Sequence, residues 1–157
     1  MELDKMTTDT ILELQTNIDD CTGEALGFVL EELFAAGAKD AFYTPIYMKK
    51  NRPAWLLTVL CTADKQQDME RIIFTHTTSI GIRWCEKQRT VLPRQALRMD
   101  TPYGVVYAKA CTYKDTTYVY PEYESIQMLC RTQGMDYGAA ATYIREQFAD
   151  KQKRSDK

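Results

Sequence analysis

The sequence has a single histidine, no Cys-x-x-Cys pair, no apolar run long enough to span a bilayer and no excess of basic charge. Each absence removes a class of function. One imidazole and five scattered cysteines (Cys21, Cys61, Cys85, Cys111, Cys130) disfavour a zinc site built from pairs at short spacing. The odd cysteine number fits small buried side chains in a reducing compartment. Nothing approaches the ~20 consecutive apolar residues of a membrane span, and Met1 to Thr10 has no apolar core of a secretory signal. These features predict a cytoplasmic protein without a membrane partner. Twenty basic against 22 acidic residues give a net charge of −2, which removes the global attraction to nucleic acid that a basic protein has. A polyanion site must therefore be a local cluster. Neither GxxxxGK[ST] nor GxGxxG occurs.

What is present is the balance of a soluble globular chain, 45% hydrophobic and 27% charged in 157 residues. That length allows one well-buried core and is short for two ordinary domains. The pattern predicts strands over 11–18, 41–48 and 55–61, with a fourth opening at Ile80. It predicts helices after Thr22 and after Asp64, capped respectively by Thr22 and by an Asp64–Gln67 capping box. Leu26, Val29, Leu30, Leu33 and Phe34 form the apolar stripe of the first helix. The order βαββαβ predicts an α+β fold with a ferredoxin-like sheet over 11–90. A smaller unit over 91–149 follows: a β-hairpin turning at Thr101-Pro102-Tyr103-Gly104, a short third strand, a helix with Pro121 at its first position, and a last helix capped by Asp136. Residues 1–10 and 150–157 are expected to be flexible ends. The ten tyrosines read mainly as strand residues rather than an aromatic platform.

Three clusters carry the chemistry. Asn17-Ile18-Asp19-Asp20 follows the first strand, Lys49-Lys50-Asn51-Arg52-Pro53 joins the second to the third, and Thr75 to Arg83 leads into the fourth. In a ferredoxin-like topology all three lie at one end of the sheet. Lys49, Lys50 and Arg52 suit phosphate oxygens. Asp19 and Asp20 suit Mg²⁺ or Mn²⁺ shared with substrate phosphates. Thr77, Thr78 and Ser79 add hydroxyl donors. Together they form a kit for a metal–nucleoside triphosphate. Each part has a plainer reading as well: a solvated turn, a capped helix start and a locally bonded loop. His76, at helical spacing from Ile72 and Ile73, reads as a packing residue.

The strings Thr-Asn-Ile-Asp-Asp (16–20), Tyr-Met-Lys-Lys-Asn-Arg-Pro (47–53), Phe-Thr-His-Thr-Thr-Ser-Ile-Gly-Ile-Arg (74–83) and Pro-Glu-Tyr-Glu (121–124) resemble, in order and spacing, the C-terminal domain of the nickel-pincer cofactor nickel-insertion family (LarC). The resemblance covers roughly residues 11–148. It implies a CTP-dependent nickel chelatase or cyclometallase of the lyase class. Such an enzyme inserts nickel, as substrate metal, into pyridinium-3,5-bisthiocarboxylic acid mononucleotide to make the cofactor of lactate racemase. It implies CTP with Mn²⁺ or Mg²⁺ bound by this domain, homo-oligomers, and a partnership with an N-terminal nickel-binding part of the same protein. By motif, Lys49, Lys50, Asn51, Arg52, Thr77, Thr78 and Arg83 are the implied nucleotide contacts and Asp19 and Asp20 the metal or ribose partners. Asn17, Glu122 and Tyr123 are expected near the site. The alternative is a non-catalytic ferredoxin-like domain for small-molecule sensing or assembly. An RNA-binding module ranks last, because the third strand is aliphatic after Trp55.

Overall fold

The computed structural model describes residues 6–155, with side chains through Ala149. The described chain runs β1 (Thr7–Ile18), α1 (Gly23–Ala35), β2 (Asp40–Met48), β3 (Arg52–Cys61), α2 (Gln66–His76), β4 (Arg83–Val91), β5 (Arg94–Thr101), β6 (Gly104–Tyr113), β7 (Thr116–Pro121), α3 (Tyr123–Gln133) and α4 (Tyr137–Ser155). It is a mixed α+β fold with two antiparallel sheets. Contacts divide it into two compact units, with the boundary near the end of β4: one spans Thr8–Arg89 and the other takes the chain from Thr90 onward.

In the first unit the strand order is β2-β3-β1-β4, the ferredoxin-like arrangement expected from βαββαβ. Alternation decides which face is covered. Leu12, Leu14, Thr16 and Ile18 of β1 are all buried, in step with Leu57, Val59 and Cys61 of β3. They pack under Leu26, Val29 and Leu33 of α1 and Met69, Ile72 and Ile73 of α2. Thr22 caps α1 as expected, its hydroxyl accepting from the Ala25 amide at 3.2 Å.

The second unit has the sheet order β5-β6-β7. Val106 and Ala108 of β6 join Ile126 and Leu129 of α3 and Ala140, Ala141, Ile144 and Phe148 of α4 in a core of their own. Two small cores thus stand where chain length alone suggested one. Asp136 caps α4, its Oδ1 accepting from the Ala139 amide at 2.8 Å, and Gly134 ends α3 in the left-handed region at φ 67°.

Several boundaries differ from expectation. β1 begins at Thr7 because its polar start is paired laterally: Arg89 grips Asp9 through two bonds of 2.6 and 2.7 Å, and Lys87 meets Glu13 at 2.8 Å. α4 continues to Ser155, and residues 1–5 and 156–157 of the expected flexible ends lie outside the described residues. The Asp64 capping box does not form. Ala63–Lys65 make a 3-10 turn and α2 starts one residue later without a side-chain cap. Pro121 closes β7 rather than opening α3, whose N-cap is Glu122. β4 starts at Arg83, not Ile80, and Ile80 is fully exposed.

Candidate functional site

Strand direction brings the three clusters to one end of the first unit. β1 and β2 are both antiparallel to β3, so Ile18 sits opposite Trp55 while Met48 sits opposite Arg52. The exit of β1 and the β2–β3 tip therefore share an edge. β4 borders β1 on its other side, and its first residue reaches the same end: Arg83 donates through Nη1 to Asn17 Oδ1 at 2.8 Å and through Nε to Gln15 Oε1 at 3.3 Å.

The tip is short and held in an unusual backbone. Lys49–Asn51 form a tight turn that is not helical at its centre, with φ 61° at Lys50 and 57° at Asn51. Consecutive left-handed residues match the twist of a tight hairpin, and glycine is the usual solution. Asparagine tolerates the region easily, whereas lysine pays roughly 1–2 kcal/mol for it. The strain fixes where three exposed side chains emerge. Lys49 and Lys50 have no ion-pair partner among the described residues. Arg52 leans 3.3 Å from Asp19, an exposed pairing of the kind that contributes little to stability and exchanges readily.

The segment from Thr77 to Ile82 is organised by hydroxyls. Thr77 donates to the Ile73 carbonyl at 2.7 Å and accepts from the Ser79 amide at 3.1 Å, so its oxygen closes α2 and shapes the loop. Thr78 donates to Asp20 Oδ1 at 2.5 Å. Thr16, buried in β1, donates to the Gly81 carbonyl at 2.9 Å and touches the Ser79 hydroxyl at 2.5 Å. This anchorage competes successfully with the apparent strand alternation of Ile80, Ile82 and Trp84.

Asp19, Asp20, Arg52, Thr78, Asn17 and Arg83 are thus joined pairwise, with Lys49, Lys50 and Asn51 on the adjoining tip. Gln15, Thr16 and Ser79 complete the arrangement as positioning residues. Ser79 is visible in the sequence as a hydroxyl beside two others. Gln15 and Thr16 carry no signal beyond their place in β1. Arg83 stands apart electrostatically, since neutral amide oxygens orient its guanidinium and no carboxylate among the described residues forms an ion pair with it. Four cations (Lys49, Lys50, Arg52, Arg83) face two carboxylates (Asp19, Asp20). A nucleoside triphosphate carrying one divalent ion, of charge about −2, complements that excess of two. A cleft of about 160 Å³ beside Arg83 is lined by Glu13, Gln15, Trp84 and Cys85.

Two carboxylates and a hydroxyl fit a hard divalent ion that draws its remaining ligands from water and phosphate. They do not form a self-sufficient metal cage. No group of three or more His, Cys, Asp or Glu arranged for a metal exists among the described residues. His76 packs edge-to-face on Phe28 at 5.1 Å, as its spacing predicts. Nearby, burial pushes the Tyr43 hydroxyl well above its ordinary range as it donates to the Leu26 carbonyl at 2.8 Å. Glu122 and Tyr123 belong to the second unit. There Glu122 pairs with Lys109 at 2.9 Å and the Tyr123 hydroxyl accepts from Gln127 Nε2 at 3.1 Å.

Comparison with known proteins gives a consistent set of likenesses. The family model described as nickel insertion protein matches residues 1–140. The pyridinium-3,5-bisthiocarboxylic acid mononucleotide nickel insertion protein of Alkaliphilus metalliredigens is 52% identical over 124 residues, 79% of this chain and 30% of its own length. Its counterpart in Lactiplantibacillus plantarum is 44% identical over 125 residues, covering 80% of this chain and 30% of its own length. The chain thus spans about 30% of the length of these curated relatives. Among solved structures it is similar to the C-terminal domain of a cyclometallase involved in the synthesis of the NPN cofactor of lactate racemase, in its apo form. That match has a TM-score of 0.78 and 40% identity, and covers 88% of this chain and 97% of that one. A protein from Methanopyrus kandleri shares the fold at 21% identity and a TM-score of 0.65.

Proposed function

The chain belongs to the nickel insertion protein family, and from that membership we propose that it is the nucleotide- and cation-binding part of a CTP-dependent cyclometallase. In this reading the complete enzyme inserts nickel, as substrate, into pyridinium-3,5-bisthiocarboxylic acid mononucleotide. It does so together with a nickel-holding part that the described residues do not supply. The observation that carries the reading is the meeting of Asp19, Asp20, the Lys49–Arg52 tip, Thr78 and Arg83 at one sheet end.

Lys49, Lys50, Arg52 and Arg83 bind the triphosphate oxygens, the two arginines as planar forks and the lysines as point charges. Asp19 and Asp20 would hold Mn²⁺ or Mg²⁺, which supplies charge neutralisation of the phosphates when bound. Thr78 holds the Asp20 carboxylate through its hydroxyl, and Asn51 fixes the tip. Asn17 and Gln15 hold Arg83 without discharging it. Thr77 contributes the shape of the loop. Nothing in this kit needs to move far: Arg52 exchanges Asp19 for a phosphate, and Asp19 is freed for the cation.

Calorimetric titration of the chain with CTP in the presence of Mn²⁺ tests the reading. Saturable, cation-dependent binding is expected. Absence of binding at millimolar nucleotide overturns it.

A further inference from the structure

The sheet of the second unit leaves one edge of β7 open, since β7 pairs with β6 alone among the described residues. The Glu122 amide donates to the Tyr107 carbonyl at 2.9 Å, which fixes the parity of the ladder. Tyr118 and Tyr120 therefore bond to β6, while the N–H and C=O of Thr117 and Val119 point away from it. Pro121 falls at an outward position as well, where its missing N–H costs the ladder nothing. The open edge thus presents the donors of Thr117 and Val119, about 7 Å apart, and none at Pro121.

A cleft of about 390 Å³ runs along this edge. Thr117, Tyr118, Val119 and Tyr120 all line it, whereas a sheet face presents only every second residue. Its other wall is α4, through Arg145 and Ala149. Thr117 and Val119 project to the side that α4 covers, Val119 in step with the buried Ala110, and Tyr118 and Tyr120 project to the opposite side. Arg145 forms no ion pair or hydrogen bond among the described residues. Its helical neighbours at three and four positions, Ala141, Thr142, Phe148 and Ala149, carry no charge to answer it.

Unpaired backbone groups beside a helix are the setting for strand addition, in which an extended segment bonds to the edge and its alternate side chains give specificity. The residue opposite Val119 then lies on the side that carries Arg145, and its two neighbours lie on the side of Tyr118 and Tyr120. A carboxylate suits the first position, and β-branched residues suit the other two. A second copy of the chain meets this demand poorly. β7 contains no Asp or Glu, so pairing two β7 edges about a twofold axis brings no carboxylate from that strand to Arg145. We infer that the free edge of β7 docks a short extended segment of a partner protein, paired to Thr117 and Val119 through its backbone and holding an acidic side chain against Arg145. The inference is independent of the nucleotide site in the first unit.

The probe is the blocked peptide acetyl-Thr-Val-Glu-Val-Thr-amide, titrated into the full ¹⁵N-labelled chain. Saturable shifts of the Thr117 and Val119 amides are expected at millimolar peptide. Replacing the peptide's glutamate by glutamine weakens binding about threefold to fivefold, the scale of an exposed ion pair. Arg145→Gln removes that discrimination, and Arg145→Glu transfers the preference to the lysine peptide. N-methylation at the glutamate blocks its bond to the edge and abolishes binding. N-methylation at the second valine, whose N–H points away from the edge, is tolerated better. Absence of saturable shifts, shifts confined to other strands, equal binding of the glutamate and glutamine peptides, or indifference to N-methylation at the glutamate overturns the inference. So does a fall in sedimenting mass on adding peptide, which assigns the edge to a second copy of the chain.

Discussion

Thr16→Val is the most informative single change in the molecule. The two side chains are nearly equal in volume, so the substitution removes a buried hydroxyl without opening a cavity. It deprives the Gly81 carbonyl of its 2.9 Å donor and the Ser79 hydroxyl of its 2.5 Å neighbour. Leaving such groups without a partner costs about 1–3 kcal/mol. Ser79 still reaches the Gly81 carbonyl at 3.1 Å, which places the expected loss in the lower half, about 1–2 kcal/mol. For a chain of this size that is a fall in melting temperature of about 3–6 °C. The same tether positions Thr78 against Asp20, so Mn²⁺–CTP affinity is expected to fall at least tenfold, about 1.4 kcal/mol. Scanning calorimetry without ligand and titration calorimetry with it read the two effects separately. A lowered melting temperature with unchanged nucleotide affinity refutes the place of the loop in the site. No change in either refutes the account of why the loop is not strand.

Lys49→Ala removes an unpaired exposed charge and is expected to weaken Mn²⁺–CTP binding about tenfold while moving the melting temperature by less than about 2 °C; matched losses in both would return the tip to a purely structural role. Asp20→Asn keeps an oxygen for Thr78 but loses the charge. Titrations with and without Mn²⁺ should show the cation's enhancement of CTP binding largely abolished, and an undiminished enhancement removes Asp20 from the cation site. Tyr43→Phe tests the buried phenol. Burial raises its folded pKa above the ordinary 10.0, so its contribution is present below pH 10 and fades as pH rises beyond that value. Urea denaturation is expected to show wild type ahead by about 1 kcal/mol at pH 8 through the bond to Leu26, with the gap shrinking towards pH 11; a constant gap contradicts a raised pKa.

Long-range order was more legible in the residues than the local stops were. Every element of βαββαβ has its own periodicity, and the order of those elements is what carries Asp19, Lys49 and Arg83 to one edge despite some thirty residues between clusters. The shared end is therefore readable before any side chain is placed. Starts and stops are harder because they depend on partners distant in sequence. Thr7 to Thr10 look like a loose leader until Arg89 and Asp9 are seen to pair. Ile80 and Ile82 look like strand until Thr16, sixty-odd residues earlier, takes the Gly81 carbonyl. Asp64 looks like a cap, but the chain tightens into a 3-10 turn instead. The positioning roles of Gln15 and Thr16 were invisible for the same reason, since each acts across strands rather than within a motif.

Holding Arg83 with amides has an evolutionary cost. Converting Asn17 to Asp or Gln15 to Glu is a minimal chemical step that keeps an oxygen on the Arg83 guanidinium and adds a counter-charge that firms the grip on it, while at Gln15 it gives up the Nε2 donation to Thr58 Oγ1. The same step quenches the guanidinium for any incoming anion. At these two positions selection for durability and selection for ligand capture run in opposite directions. A drift library screened for thermal resilience should accumulate the carboxylates, and one screened for nucleotide retention should purge them.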